Sequence, residues 1–159
     1  MYVILASHGP MAEGAKATSE MIAGPQENVF TLSINEGEDP EDLSANIEKL
    51  VVEAIEKDEE VMIFTDLISG TPFNVTLPLM EKYPCIYHVT GMNVTMLITV
   101  FAQKAFMSAQ ELYEDLKSNK DSLIMFMNDI LAEVDEDDEN EDEYDDDEDD
   151  DEDDDEDEE

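Results

Sequence analysis

The sequence predicts an α/β fold, a doubly wound three-layer sandwich built on a mainly parallel sheet of order 2-1-3-4. Three observations carry this. Four short apolar runs recur along the chain: YVILA (Tyr2 to Ala6), NVFTLSI (Asn28 to Ile34), EVMIFTD (Glu60 to Asp66) and PCIYHVT (Pro84 to Thr90). Each has the length and β-branched content of a buried strand. A segment with helical character follows each run, the alternation that builds a parallel sheet covered on both faces. The stretch of ordinary composition is about 130 residues long, enough for one domain with its own core.

The elements follow in order. After Gly9 a helix is predicted through Met11, Ala15, Thr18 and Ile22, ending at Gly24-Pro25, a common stop signal. The second helix is the clearest. Asp39 is its N-cap, Pro40 its first residue and Glu41 and Asp42 complete an acidic first turn, after which Leu43, Ile47, Leu50, Val51 and Ile55 recur at helical spacing. The third runs from Phe73 to Lys82 and contains Pro78, whose missing N–H is expected to shorten or kink it. Asn93 caps a fourth through Phe101, and Ser108 to Lys117 (SAQELYEDLK) forms a fifth. The run SLIMFM, Ser122 to Met127, fits strand or helix equally by periodicity.

Charge divides the chain. Of 159 residues, Lys plus Arg number 7 and Asp plus Glu 45, for a net charge of −38. From Glu133 to Glu159 every residue is acidic except Val134, Asn140 and Tyr144. Such a segment has almost nothing apolar to bury and repels itself, so residues 133–159 are predicted to be a disordered polyacidic tail on a folded domain of residues 1–132.

The composition also excludes partners and chemistries. An acidic chain without arginine is unsuited to nucleic acid or anionic membranes, which require cationic contacts to phosphate. One cysteine and two histidines leave too few ligands for a thiolate-imidazole zinc site, and no cofactor is predicted. The start MYVILAS lacks the basic flank and long apolar core of a signal peptide, and no apolar run approaches the roughly 18 to 20 residues that span a bilayer. A cytoplasmic protein is expected.

In the order 2-1-3-4 the first and third strands are neighbours whose helices leave towards opposite faces. The crevice at that switch point, outside the carboxyl ends of the strands, is where such folds bind ligands. His8 follows the first strand and Asp66 ends the third, so both arrive there. A lone histidine past a strand is usually structural; a carboxylate at the same crevice reverses that reading. Beside the pair lies Gly70-Thr71-Pro72-Phe73-Asn74, with Thr71 as N-cap and Pro72 first in the helix, turning free N–H groups and the positive helix end towards the crevice. Neutral imidazole carries one unprotonated, nucleophilic nitrogen and one protonated nitrogen. A carboxylate on the protonated nitrogen fixes tautomer and orientation and stabilises the charge that develops on phosphorylation, as Asp does for His in a serine-protease triad.

Three motifs now stand in order: Ala6-Ser7-His8-Gly9; Phe64-Thr65-Asp66-Leu67-Ile68-Ser69-Gly70-Thr71-Pro72-Phe73-Asn74; and Gly91-Met92-Asn93-Val94-Thr95-Met96-Leu97. Together they resemble the IIA domain of mannose-family sugar phosphotransferase systems over about residues 1 to 130. The resemblance implies a four-stranded parallel sheet with a fifth strand exchanged across a homodimer, and on that ground Ser122 to Met127 is expected to be a strand. It implies a phosphoryl relay: the phosphocarrier HPr phosphorylates His8, and His8 passes the group to a separate IIB protein serving the membrane IIC/IID sugar permease. By the same match Asp66 orients the imidazole and Thr71 contacts the phosphoryl group; with it, Gly70, Pro72 and Phe73 at the helix entrance are expected to bind phosphate. Ser69 stands where the family's GG(S/T)PFN loop commonly has glycine, a change expected to alter loop torsions.

Other readings use the same residues. Gly9 to Lys16 superficially resembles a nucleotide P-loop, but that motif needs Lys directly after its second Gly, and Ala15-Lys16-Ala17 fails the register. A receiver domain needs an acidic pair after the first strand, where this chain has Ser7-His8. A regulatory module whose phosphorylation another protein senses, and a dihydroxyacetone-kinase phosphodonor subunit, both keep His8. His88, inside the fourth run, reads as a packed or surface histidine, and the methionines as core or interface filling.

Overall fold

Alternation along the strands sets the architecture. The computed structural model describes residues 1–131; the acidic run from Glu133 lies outside them. In β1 (Tyr2–His8), Val3 and Leu5 point to one face of the sheet and Tyr2, Ile4 and Ala6 to the other, all buried. In β3 (Val61–Thr65), Met62 and Phe64 join the first set, Val61 and Ile63 the second. A strand buried on both faces reads as a continuous apolar run, the pattern that marked these two segments in the sequence. With β2 (Val29–Ile34) and β4 (Ile86–Thr90) they form one parallel sheet of order β2-β1-β3-β4.

Helices cover both faces. Packed with the Val3, Leu5, Met62 and Phe64 face are α1 (Met11–Ala23), α4 (Val94–Gln103) and α5 (Ala109–Ser118); against the other lie α2 (Pro40–Glu56) and α3 (Thr71–Lys82). The starts of α2, α4 and α5 are chemically specified. The Asp39 carboxylate accepts from Glu41 N–H at 2.9 Å, Asn93 accepts from Met96 N–H at 2.9 Å, and Ser108 and Glu111 form a reciprocal capping box. Full burial of Ile4, Leu5, Ile63 and Phe64 contributes roughly 1.5–3 kcal/mol per side chain, which is why the central strands stay rigid beneath the site at their ends.

Several expectations need correction. β1 does not stop at Ala6: Ser7 and His8 continue the ladder opposite Ser33 and Ile34, because β2 runs long enough to pair with them. The α3 cap is Gly70, with extended torsions and no side-chain cap bond, so Thr71 is the first helical residue and Pro72 the second. α3 continues through Pro78 to Lys82 without being shortened. In α1 the buried face is Ala12, Ala15 and Ser19, while Met11 and Ile22 are exposed; in α2, Ala54 is buried and Ile55 exposed.

The run Ser122 to Met127 is not a strand in this chain. Ser122 closes a short 3-10 turn (Lys120–Ser122), bends follow, and residues 127–131 are helical. A strand exists only through ladder bonds to a neighbour, and these residues pair with no strand of the sheet. Met1–Leu123 forms one compact unit, and a second begins at Ile124. There Ile124, Met125, Phe126, Met127 and Leu131 are all exposed. Among the described residues no helix is long and apolar enough to cross a membrane.

Candidate active site

Because β1 and β3 are neighbours, their carboxyl ends bring residues 8 and 66 together. His8, the last residue of β1, donates its backbone N–H to Asp66 Oδ2 at 2.8 Å, and its ring Nδ1 lies 2.8 Å from the same oxygen. Leu67 N–H donates to the other carboxylate oxygen at 2.9 Å. Burial is the strongest influence on the Asp66 carboxyl and pushes its pKa up, but the His8 backbone and ring and Leu67 N–H together outweigh it and hold the pKa below the ordinary value. Asp66 is therefore ionised at neutral pH and can only accept. Nδ1 must carry the proton, leaving the neutral ring's lone pair on Nε2.

Exposure is divided between the pair. The Asp66 side chain is 6% exposed and that of His8 42%, so the carboxylate is shielded while the ring reaches solvent. Ser7, fully buried, fixes the turn below: its hydroxyl accepts from Ala12 N–H at 2.8 Å and donates to Gly9 O at 3.3 Å. Gly9 at φ +54 then turns the chain into α1.

The rest of the second motif leaves β3 by a short loop. Ser69 takes φ +62, a left-handed torsion that glycine favours, and the Asn74 side chain donates to Ser69 O at 3.0 Å, clamping loop to helix. The first intrahelical bond of α3 runs from Asn74 N–H to Gly70 O, at 2.9 Å. Thr71 and Phe73 N–H precede it and have no intrahelical acceptor, at the positive helix end. Thr71 lines an open cleft of about 410 Å³ with His8, Gly9, Asn35, Glu36 and Glu38. Pro72 is buried and has no N–H to give, so its part is to set the start of the helix. The Phe73 ring packs 5.5 Å from that of His88.

His88 stands behind the site. Its Nε2 is 2.9 Å from the hydroxyl of buried Thr65, the residue before Asp66, and burial pushes its pKa down to about 4. It is a packed neutral imidazole, as its place within a strand suggested. Among the described residues no group of three or more His, Cys, Asp or Glu is arranged to hold a metal ion.

Comparison with known proteins bears on this arrangement. Residues 2–117 match the EIIA-man family, described as the PTS system fructose IIA component. The chain belongs to this family. It is 33% identical over 123 residues to the sorbose-specific EIIA component of Lacticaseibacillus casei, covering 76% of this chain and 86% of that one. It is 29% identical over 118 residues to the sorbose-specific EIIA component of Klebsiella pneumoniae, covering 74% and 85%. The phosphotransferase system component EIIA of Streptococcus agalactiae has a similar crystal structure, with a TM-score of 0.72 at 25% identity over 80% of this chain and 97% of that one. As a mannose-type EIIA component of a sugar phosphotransferase system, the chain bears its His8–Asp66 pair within the matched region, on the elements that the family match spans.

The EIIA sequence assigned no role to three contributors. Ser7, Asn74 and Leu67 shape the site through buried or backbone bonds. All three stand within the quoted motifs, but nothing local in the sequence marks the bonds they make.

Proposed function

We propose that this EIIA component accepts a phosphoryl group from HPr on His8 Nε2 and passes it to a IIB protein, for sugar uptake through the IIC/IID permease. The observation that carries the reading is the 2.8 Å Nδ1–Asp66 contact, shielded on the carboxylate side and open on the ring side. In the first step an Nε2–P bond forms as the donor phosphohistidine's N–P bond breaks, the electron pair returning to the donor ring. The His8 ring becomes cationic, and Asp66, already ionised and bound to Nδ1–H, stabilises that charge without reorganising. The phosphoryl oxygens fall to Thr71 and Phe73 N–H and the Thr71 hydroxyl, beside Gly70 at the positive end of α3. Transfer to IIB reverses these roles.

The test is labelling by enzyme I, HPr and labelled phosphoenolpyruvate. The chain takes up one phosphoryl group, stable to alkali and labile to acid, and His8→Ala takes up none. Full labelling of His8→Ala removes the assignment, and an alkali-labile product replaces it with an acyl phosphate. Failure of the labelled protein to pass its phosphate to IIB would leave a sensing module and remove the relay.

The same reading includes a homodimer. β4 lies at the end of the sheet with its outer edge unpaired among the described residues, and residues 124 to 127 expose four consecutive apolar side chains. An unpaired edge and an exposed apolar segment in one chain are complementary across a two-fold axis, where the segment of each copy extends the other's sheet as a fifth strand. Sedimentation of the intact chain and of Phe126→Asp separates the cases: a dimer that the substitution dissociates is expected, and a monomeric intact chain removes the exchange.

A further inference from the structure

The geometry points to Gly70 as a positioning residue for His8, one whose missing side chain seats the imidazole on Asp66. A methyl group placed on Gly70 would fall 2.8 Å from His8 Cε1, and 3.1 and 3.2 Å from Leu67 Cδ1 and Cγ. Carbon atoms in contact sit about 3.5–4.0 Å apart, so the ring has no room to share with any side chain there. The backbone does not explain the glycine. Gly70 has φ −75 and ψ 169, torsions that every residue adopts. Gly9, Gly24, Gly37 and Gly91 are the reverse case, with positive φ and nothing within 4 Å of an added methyl. Gly70 alone among the six glycines is set by close approach, and the group it approaches most closely is the reacting ring.

Cε1 lies between the two ring nitrogens, so contact there controls both. The His8 ring is held by a single side-chain bond, Nδ1 to Asp66, and is otherwise partly open to solvent. Its free end is softer than the backbone of the loop, which Asn74 clamps through Ser69 O. A methyl at position 70 is therefore relieved by swinging the ring, which stretches the bond to Asp66 and moves Nε2 from the entrance of α3. With the Asp66 bond lost, nothing selects the Nδ1–H form, and the proton distributes over both nitrogens. This adds to the phosphocarrier reading above and rests on it for its rate measurement alone.

The experiment uses the full chain, ¹⁵N-labelled, and reads the His8 tautomer from two-bond proton–nitrogen correlations at neutral pH. The wild type is expected in the Nδ1–H form, and Gly70→Ala as a mixture, with transfer from HPr slowed about 10- to 100-fold, the range for a misplacement near 1 Å. Gly14→Ala, in α1 with nothing within 4 Å of the added methyl, is the matched control and keeps wild-type tautomer and rate. Two double variants identify the clash. Leu67→Ala/Gly70→Ala stays slow, and any loss of thermal stability in Gly70→Ala disappears when both proteins also carry His8→Ala. A wild-type tautomer and rate in Gly70→Ala overturn the inference, as does recovery on removing Leu67 or a stability loss that persists without the His8 ring. If HPr fails to label the wild type, the phosphocarrier reading falls, while tautomer and stability still decide the role of Gly70.

Discussion

Replacing Asp66 by Asn tests the centre of the mechanism with almost no change in volume. The carboxylate accepts three hydrogen bonds, from His8 N–H, His8 Nδ1–H and Leu67 N–H, at 2.8, 2.8 and 2.9 Å. An amide supplies one acceptor and one donor group. With its oxygen towards His8, the NH₂ faces Leu67 N–H; with its oxygen towards Leu67, the NH₂ faces His8 N–H and donates to Nδ1. The second orientation keeps a good bond to the ring but forces the proton onto Nε2, removing the nucleophilic lone pair. Each lost charge-assisted bond costs about 1.5–3 kcal/mol, and one donor left facing another adds to it, so a stability loss of about 2–4 kcal/mol is expected. Transfer should fall further than stability implies. A wrong tautomer in the serine-protease triad costs about 10⁴-fold, and the more open His8 ring places the expected loss at roughly 10²- to 10⁴-fold. The assay is the initial rate of label transfer from HPr, with folding checked by circular dichroism. Asp66→Asn with a rate within threefold of wild type, or slow but still in the Nδ1–H form, would refute the orienting role.

Three further outcomes follow from other residues. Ser69→Gly relieves a left-handed torsion that costs a non-glycine residue roughly 1 kcal/mol; a net gain of about 0.5–1 kcal/mol in urea denaturation is expected, and a loss would mean that the hydroxyl matters more than the torsion. His88, with its pKa down to about 4 against an ordinary value near 6.5, makes the unfolded state bind more protons between those values, so stability falls as pH drops through that window. The full shift corresponds to about 3 kcal/mol, discounted to roughly 2 for a ring partly open to solvent; thermal midpoints of wild type and His88→Gln should converge from pH 7 to 5, and parallel curves would remove the effect. Deleting residues 133–159 removes most of the negative charge, and the ratio of transfer rates at low and high salt should move towards one; an unchanged ratio would show that this charge does not steer association.

What the sequence reveals of this site follows the range of the interactions. The strand order, the His8–Asp66 meeting and the α3 entrance are legible because apolar alternation, caps and the switch-point rule act over short stretches or over the whole sheet. The end of β1 is less so. Ser7 and His8 are polar and read as loop, yet they stay in the ladder because β2 offers them partners. The contact between Gly70 and His8 cannot be read at all, since it joins residues 62 positions apart through a distance of tenths of an ångström. Residues 122 to 127 are illegible for another reason: their periodicity fits either element, and a strand there needs a partner edge that their own chain does not pair with them.

On the proposed function, the absence of arginine suits the site to a carrier. A phosphate clamp built from guanidinium groups gains strength from full charges in bidentate contact, and that strength would deepen the phosphorylated state relative to the proteins on either side. A relay needs the opposite, a group held well enough to be protected and loosely enough to leave. Here the available donors are neutral: N–H groups at the start of α3 and a hydroxyl on Thr71. The cleft rim adds Glu36 and Glu38, whose charge opposes a bound phosphoryl dianion. The one strong electrostatic contact, Asp66 to the ring, stabilises the cationic imidazole and so favours bond making, while the phosphoryl oxygens themselves meet only neutral donors. Introducing a cation at the rim, Glu38→Arg, should therefore lengthen the lifetime of the phosphorylated protein and slow its discharge to IIB more than its charging by HPr. Faster discharge would show that the acidic rim acts in some way other than by weakening the hold on phosphate.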